Sequence, residues 1–199
     1  MPWSRSPLLE PLTLTEAKAY LKVDHTDEDT LIGQMIREAR SWTETFLGRA
    51  LIDQTWKLTL ERFPASGQHN PHASITLPKG HTIAVTAFTY RDTDGTLGTL
   101  TGMEVSPIGS DYQWDLGDEG GGVLRPAWGD SWPATRDTID PLNITFRAGY
   151  TTSAGIPEQI LAGLKWKLAD LYATRGDQDV AGRQDVAIAL LTPWKLAWF

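Results

Sequence analysis

Residues 27–61 read DEDTLIGQMIREARSWTETFLGRALIDQTWKLTLE, and the apolar period changes within them. Leu31, Ile32, Met35, Ile36, Ala39, Trp42, Phe46 and Leu47 recur at three- and four-residue spacing. That spacing lines one face of a helix about five turns long. Asp27, Glu28 and Asp29 put negative charge at its start, where the helix dipole favours it, and Gly48 supplies a C-terminal cap. Further on, Trp56, Leu58 and Leu60 alternate with Lys57, Thr59 and Glu61, the period of a half-buried strand. The chain therefore passes from a helical part into a β part, and the fold class depends on where each period returns.

Upstream, Thr13-Leu14-Thr15-Glu16 is a capping box, which predicts a short helix to about Val23. Downstream, short strands are predicted at 56–60, 75–77, 82–90, 96–105, 111–116, 122–125 and 143–149. Pro78-Lys79-Gly80, Asp94-Gly95 and Gly120-Gly121-Gly122 separate several of them, the last as a flexible hairpin tip. Helical spacing returns at Ile156-Pro157-Glu158, with Ile160, Leu161, Leu164, Leu168, Leu171 and Tyr172 on the apolar face. Residues 176–185 are polar, and Ala187 to Phe199 is apolar again. Each helix has one face that needs cover, and a two-helix hairpin alone leaves much of it wet. The expected fold is α+β. Residues 8–50 and 156–176 form a helical core, 51–150 an inserted small antiparallel β module, and 177–199 a linker with an extended C-terminal arm.

The chain has 199 residues, 41% of them apolar and 22% charged, a balance that argues against wholesale disorder. It has no cysteine, which excludes disulfide scaffolds and thiolate metal sites. The longest apolar run, Val186 to Leu191, is six residues against about 20 for a membrane span. The opening residues lack the apolar core of a secretory signal, so synthesis and use without membrane passage are expected. The net charge of −7 argues against an electrostatic grip on nucleic acid. All of it comes from residues 91–140, where ten acids meet three bases. Two readings of this acidity stand. Aspartate suits turns because its carboxylate bonds nearby backbone, and an acidic surface repels phosphate or meets a basic partner.

No chemical motif emerges. His69, His72 and His81 are grouped, but no helical register or intervening acid makes them a metal set, and no metal or cofactor is expected. Nucleophile elbows and phosphate loops are absent. Carboxylates in the β module allow a hydrolase reading only if two flank a cleft. Nine tryptophans are present. Trp42 and Trp166 are expected in the helical core, and Trp56 on the inward face of its strand. Trp114, Trp128 and Trp132 either fill a small β core or make a sugar-stacking platform, as in a carbohydrate-binding module. The apolar end, Leu190 through Phe199, either folds back on its own domain or anchors in a partner. Pro193 argues for an extended arm. Removal of 187–199 is then expected to leave the fold intact.

Three stretches carry a family resemblance. The first is Leu12-Thr13-Leu14-Thr15-Glu16-Ala17-Lys18-Ala19-Tyr20-Leu21-Lys22-Val23, followed by Asp27-Glu28-Asp29-Thr30-Leu31-Ile32. The second runs from Glu38-Ala39-Arg40 and Thr43-Glu44 to Gly48-Arg49-Ala50-Leu51-Ile52 and Gln54-Thr55-Trp56. The third is Ile156-Pro157-Glu158 to Tyr172, with Leu190-Leu191-Thr192-Pro193-Trp194. Together they resemble the head–tail connector (adaptor) proteins of long-tailed bacteriophages and gene transfer agents. After the proline this chain has Trp194-Lys195 where the family usually has tyrosine and arginine.

The resemblance implies a structural virion protein at the head–tail junction, free in the host cytoplasm before assembly, and no enzyme. It implies a homo-oligomeric ring, twelve subunits in family members, beneath the portal protein, extending the channel through which DNA passes without specific binding. A tail-side stopper or terminator protein would dock on it, and no membrane is involved. The C-terminal segment would reach the portal, which assigns Trp194, Lys195, Leu196, Trp198 and Phe199 to portal binding. Asp92, Asp94, Asp115, Asp118 and Glu119 would form an acidic surface facing the channel or the tail. A stopper or tail-terminator role is the nearest alternative.

Overall fold

The computed structural model describes residues 9–65, 72–103, 110–117, 120–174 and 183–196. The chain divides into two compact units. One is Asp53–Gly149; the other takes the helices on either side of it, up to Ile52 and from Tyr150.

The helical unit begins with α1 (Leu14–Leu21) and α2 (Asp29–Leu47). The capping box forms as expected: Thr13 Oγ1 accepts from the Glu16 N–H, and the Glu16 carboxylate accepts from the Thr13 N–H (2.8 Å). Gly48 closes α2 with a left-handed φ of 71°. After the β unit come α3 (Glu158–Thr174) and α4 (Arg183–Leu191). One core joins the helices: Ala17 from α1, Ile32, Met35, Ile36, Ala39 and Leu47 from α2, Ile160, Leu164 and Leu168 from α3, and Leu191 from α4.

Some helical expectations shift. Leu31 is 37% exposed and Thr43 is fully buried in its stead. The Thr43 hydroxyl donates to the Ala39 carbonyl (2.8 Å), so its burial leaves no unpaired donor. Trp166 faces out, 36% exposed, because α3 turns Gly163, Leu164 and Leu168 inward. The extended arm is also corrected. Arg183–Leu191 is helical, Thr192–Trp194 is a 3₁₀ turn, and extended backbone starts only at Lys195. Pro193 sits in the first turn of the 3₁₀ segment, where its missing N–H costs nothing. Gly163 explains the packing: a Cβ there would lie 2.6 Å from Leu191 Cγ, so the missing side chain opens the slot that Leu191 fills.

The β unit holds two four-stranded sheets. The first has the order β1 (Gln54–Leu60), β8 (Leu142–Ala148), β3 (Thr82–Arg91), β4 (Leu97–Thr99). The second has the order β2 (Ile75–Thr76), β7 (Val123–Pro126), β6 (Tyr112–Asp115), β5 (Gly102–Met103). Pairing is antiparallel as expected, except for the two-residue β5–β6 pair, which is parallel. The predicted strand at 96–105 splits into β4 and β5 where Leu100 turns inward, 8% exposed. The central strand β8 buries Leu142, Ile144, Phe146 and Ala148 at every second residue, while the intervening residues are half-buried.

The glycine run is no loose tip. Gly121 has φ +90°, and a Cβ there would lie 2.4 Å from the Leu77 carbonyl. Gly122 donates its N–H to Thr82 Oγ1 (2.9 Å), and its carbonyl accepts from the Leu77 N–H (2.7 Å).

Candidate functional site

The segment after α4 is held against the helical unit by side chain and backbone alike. Trp194 is half-buried, and its indole Nε1 donates to Gln159 Oε1 on α3 (2.8 Å). Its carbonyl accepts from Nε of Arg49 (2.8 Å), a side chain only 5% exposed. The Leu196 N–H donates to the carbonyl of Leu47 (2.9 Å), the last residue of α2. That carbonyl belongs to a helix end with no intrahelical partner, so Leu196 satisfies it. The Lys195 ammonium lies 5.4 Å from the ring centroid of Phe46. Phe46 stacks on Trp42 at 5.5 Å and 7°, and Lys167 lies 5.1 Å from the Trp42 ring on its own account. Trp194, Lys195 and Leu196 thus rest on the chain's own helices, while Trp198 and Phe199 lie outside the described residues. Leu191 and Ala187 are fully buried, so removing 187–199 would open the helical core, contrary to expectation.

The acidic residues do turn work. Asp92 Oδ1 accepts from the N–H groups of Asp94 (3.0 Å) and Thr96 (2.8 Å), which closes the β3–β4 turn. Asp115 Oδ1 accepts from the Gly117 N–H (3.0 Å) after β6. Asp111 Oδ2 accepts from the Thr101 N–H (2.7 Å) and hydroxyl (2.9 Å). Asp94 is exposed in the same turn as Asp92; Asp118 and Glu119 lie outside the described residues. Local bonding accounts for three of the acids, and the outward oxygens still leave negative charge on the surface.

The tryptophans of the β unit separate. Trp132 stacks on Phe63 at 4.9 Å, touches Phe88 and Tyr112, and donates Nε1 to the Ala73 carbonyl (2.6 Å). It packs in an aromatic cluster. Trp128 is 88% exposed, and Trp114 is half-buried on β6. Trp128 and Trp132 line one open concavity and Trp114 lines another, so the three do not share one platform. An open concavity of about 580 Å³ lies beside Trp132 and Trp128, with Arg125 and His72 in its wall. Asp130 is the one carboxylate among its described lining residues, so no flanking pair for glycoside hydrolysis is present there. Among the described residues no three histidine or carboxylate side chains converge on a metal position; His69 lies outside them.

Sequence reasoning missed Arg49 and Gln159 as partners of the C-terminal segment. Arg49 stood in a motif quoted for its resemblance, and nothing local connects it to a residue 145 positions away.

No curated protein matches the chain. Its fold matches solved structures over its whole length. One is described as the neck of an empty gene transfer agent (GTA) particle computed with C6 symmetry. It matches with a TM-score of 0.77, 19% identity, all of this chain and 97% of that one. A chain of the virion of a native GTA particle matches with a TM-score of 0.78 at the same identity and coverage. A third, from the neck of a native GTA particle computed with C12 symmetry, matches with a TM-score of 0.76, again at 19% identity. The family described as Phage gp6-like head-tail connector protein matches residues 11–99, from α1 through β4. The resemblance carried by the opening motifs is thereby borne out: over residues 11–99 this chain is a match to the Phage gp6-like head-tail connector proteins.

Proposed function

We propose that this protein is a structural head–tail connector of a phage-like particle. Identical copies close into a ring, twelve in number, at the head–tail junction. The ring extends the portal's DNA channel and gives a tail-side stopper or terminator its docking surface. The observation that carries this reading is the end-to-end fold agreement with a chain from a particle neck computed with C12 symmetry, together with the connector-family match. Copies related by rotation alone meet through unlike faces, so the subunit interface is heterologous and the ring closes without a two-fold axis.

In this reading Trp194, Lys195, Leu196, Trp198 and Phe199 bind the portal, and repetition around the ring turns weak contacts into a lasting joint. Asp92, Asp94, Asp115, Asp118 and Glu119 face the channel or the tail. If they line the channel, their charge keeps phosphates from lodging as DNA passes.

Electron microscopy of the purified protein with portal rings tests the reading. Closed rings of twelve seated coaxially on the portal are expected; monomers indifferent to the portal would overturn it. The binding segment has its own test. Deleting 197–199 spares Leu191 and the contacts of 194–196, so folding should be unchanged while portal capture falls at least about tenfold. Full capture by the shortened chain would remove Trp198 and Phe199 from the interface.

A further inference from the structure

The contacts of Trp194 and Leu196 suggest a role for a residue far from the segment itself. Arg49 is a charged side chain 5% exposed, and a buried guanidinium needs strong acceptors. One acceptor it uses is a main-chain carbonyl, that of Trp194, at 2.8 Å. A bond to backbone holds position whatever the side chain is. Two further bonds fix the same short segment: the Trp194 indole to Gln159, and the Leu196 N–H to the C-terminal carbonyl of α2. Three anchors from two helices and the residue after the α2 cap meet a segment whose backbone has just left its 3₁₀ turn.

We propose that Arg49 is a positioning residue, which through the Trp194 carbonyl fixes where and in which direction the chain leaves the helical unit. The portal-docking segment is then pre-set before assembly instead of being ordered by its partner. This rests on the connector reading for the identity of the partner, but not for the clamp itself. Pre-setting removes an ordering cost from binding, so losing the clamp weakens docking even though Arg49 touches no partner. The clamp holds only polar groups, the Trp194 carbonyl and indole N–H and the Leu196 N–H, and leaves the exposed parts of Trp194, Lys195 and Leu196 to meet the partner.

Arg49→Lys keeps the charge but loses the guanidinium geometry. Gln159→Ala removes only a surface anchor, because Gln159 is exposed, and so it guards against a variant that fails to fold. Amide hydrogen exchange by NMR reads the Leu196 N–H directly. In the native chain that amide should be protected. In either variant its protection should drop about tenfold, with the amides of Ile36 and Leu164 unchanged, and capture by portal rings should weaken by about the same factor. A Leu196 amide that exchanges freely in the native chain, or is equally protected in both variants, overturns the clamp. Lost protection with undiminished capture overturns the positioning role. A native chain that portal rings do not capture counts against the connector reading, and the exchange result alone then decides the clamp.

Discussion

Single residues carry two pH-dependent contributions of opposite sign. The Thr13 backbone N–H, then its hydroxyl, hold Glu16 below the ordinary glutamate value of 4.5. A carboxyl lowered by folding adds stability above that ordinary value and loses it as pH falls through the folded one. The acid limb of a stability–pH curve should therefore flatten in Glu16→Gln. Thr13→Ala, which removes the cap itself, should cost about 1 kcal/mol in urea unfolding at neutral pH. Tyr112 does the reverse. Burial first, and the charge of Asp111 second, push its phenol up from 10.0 to about 12. Its contribution is complete below the unfolded value and is lost as pH climbs from 10 to 12. Alkaline unfolding followed by circular dichroism should show that slope in the native chain and not in Tyr112→Phe.

The elements show which signals were strong enough to read locally. The α2 stripe was legible because most of one helix face meets the core, and the β1 alternation was legible as a strand although Trp56 to Leu60 are all half-buried. Strand positions in the middle of the chain were legible too, since glycine and proline punctuate them. The fate of residues 183–194 was not legible. An apolar run with a proline reads as an arm or as a helix, depending on whether a slot exists to receive it. Gly163 makes that slot, and a glycine in a helix reads from sequence only as a weak spot. Gly163→Ala should destabilise the helical unit by about 1–3 kcal/mol despite better helix propensity, because the fully buried Leu191 side chain must shift to admit the methyl group. Adding Leu191→Ala should relieve the clash, and a double-mutant cycle on urea midpoints would show the coupling. Alone, Leu191→Ala should cost about 2–5 kcal/mol.

At the scale of the molecule the β unit enters after Ile52 and leaves before Tyr150, and these two residues form a parallel bridge, with the Tyr150 N–H donating to the Leu51 carbonyl (3.3 Å). Entry and exit are adjacent, and the helical core takes its residues from α1–α4 and the bridging segments. A chain in which a short glycine-rich linker replaces 53–149 should therefore keep its helical circular dichroism and melt in one cooperative transition. A broad, non-cooperative melt would show that the helical unit depends on the inserted strands.

By itself the sequence determined the class of α1 to α3 and of the strands, the order helix–strand–helix along the chain, and the motifs that matched a connector family, because period, caps and turn residues act within a few positions of themselves. Tertiary structure alone decided that the C-terminal run is a helix with an anchored continuation, that Trp132 is packed in an aromatic cluster while Trp128 is exposed, and that the glycine run is a tight packing point. Each of those outcomes depends on a partner dozens of residues away: Gly163 and Arg49 for the C-terminal run, Phe63 for Trp132, Leu77 for Gly121. Burial and hydrogen bonding between such pairs exist only once the chain has brought them together, and no local pattern encodes that meeting.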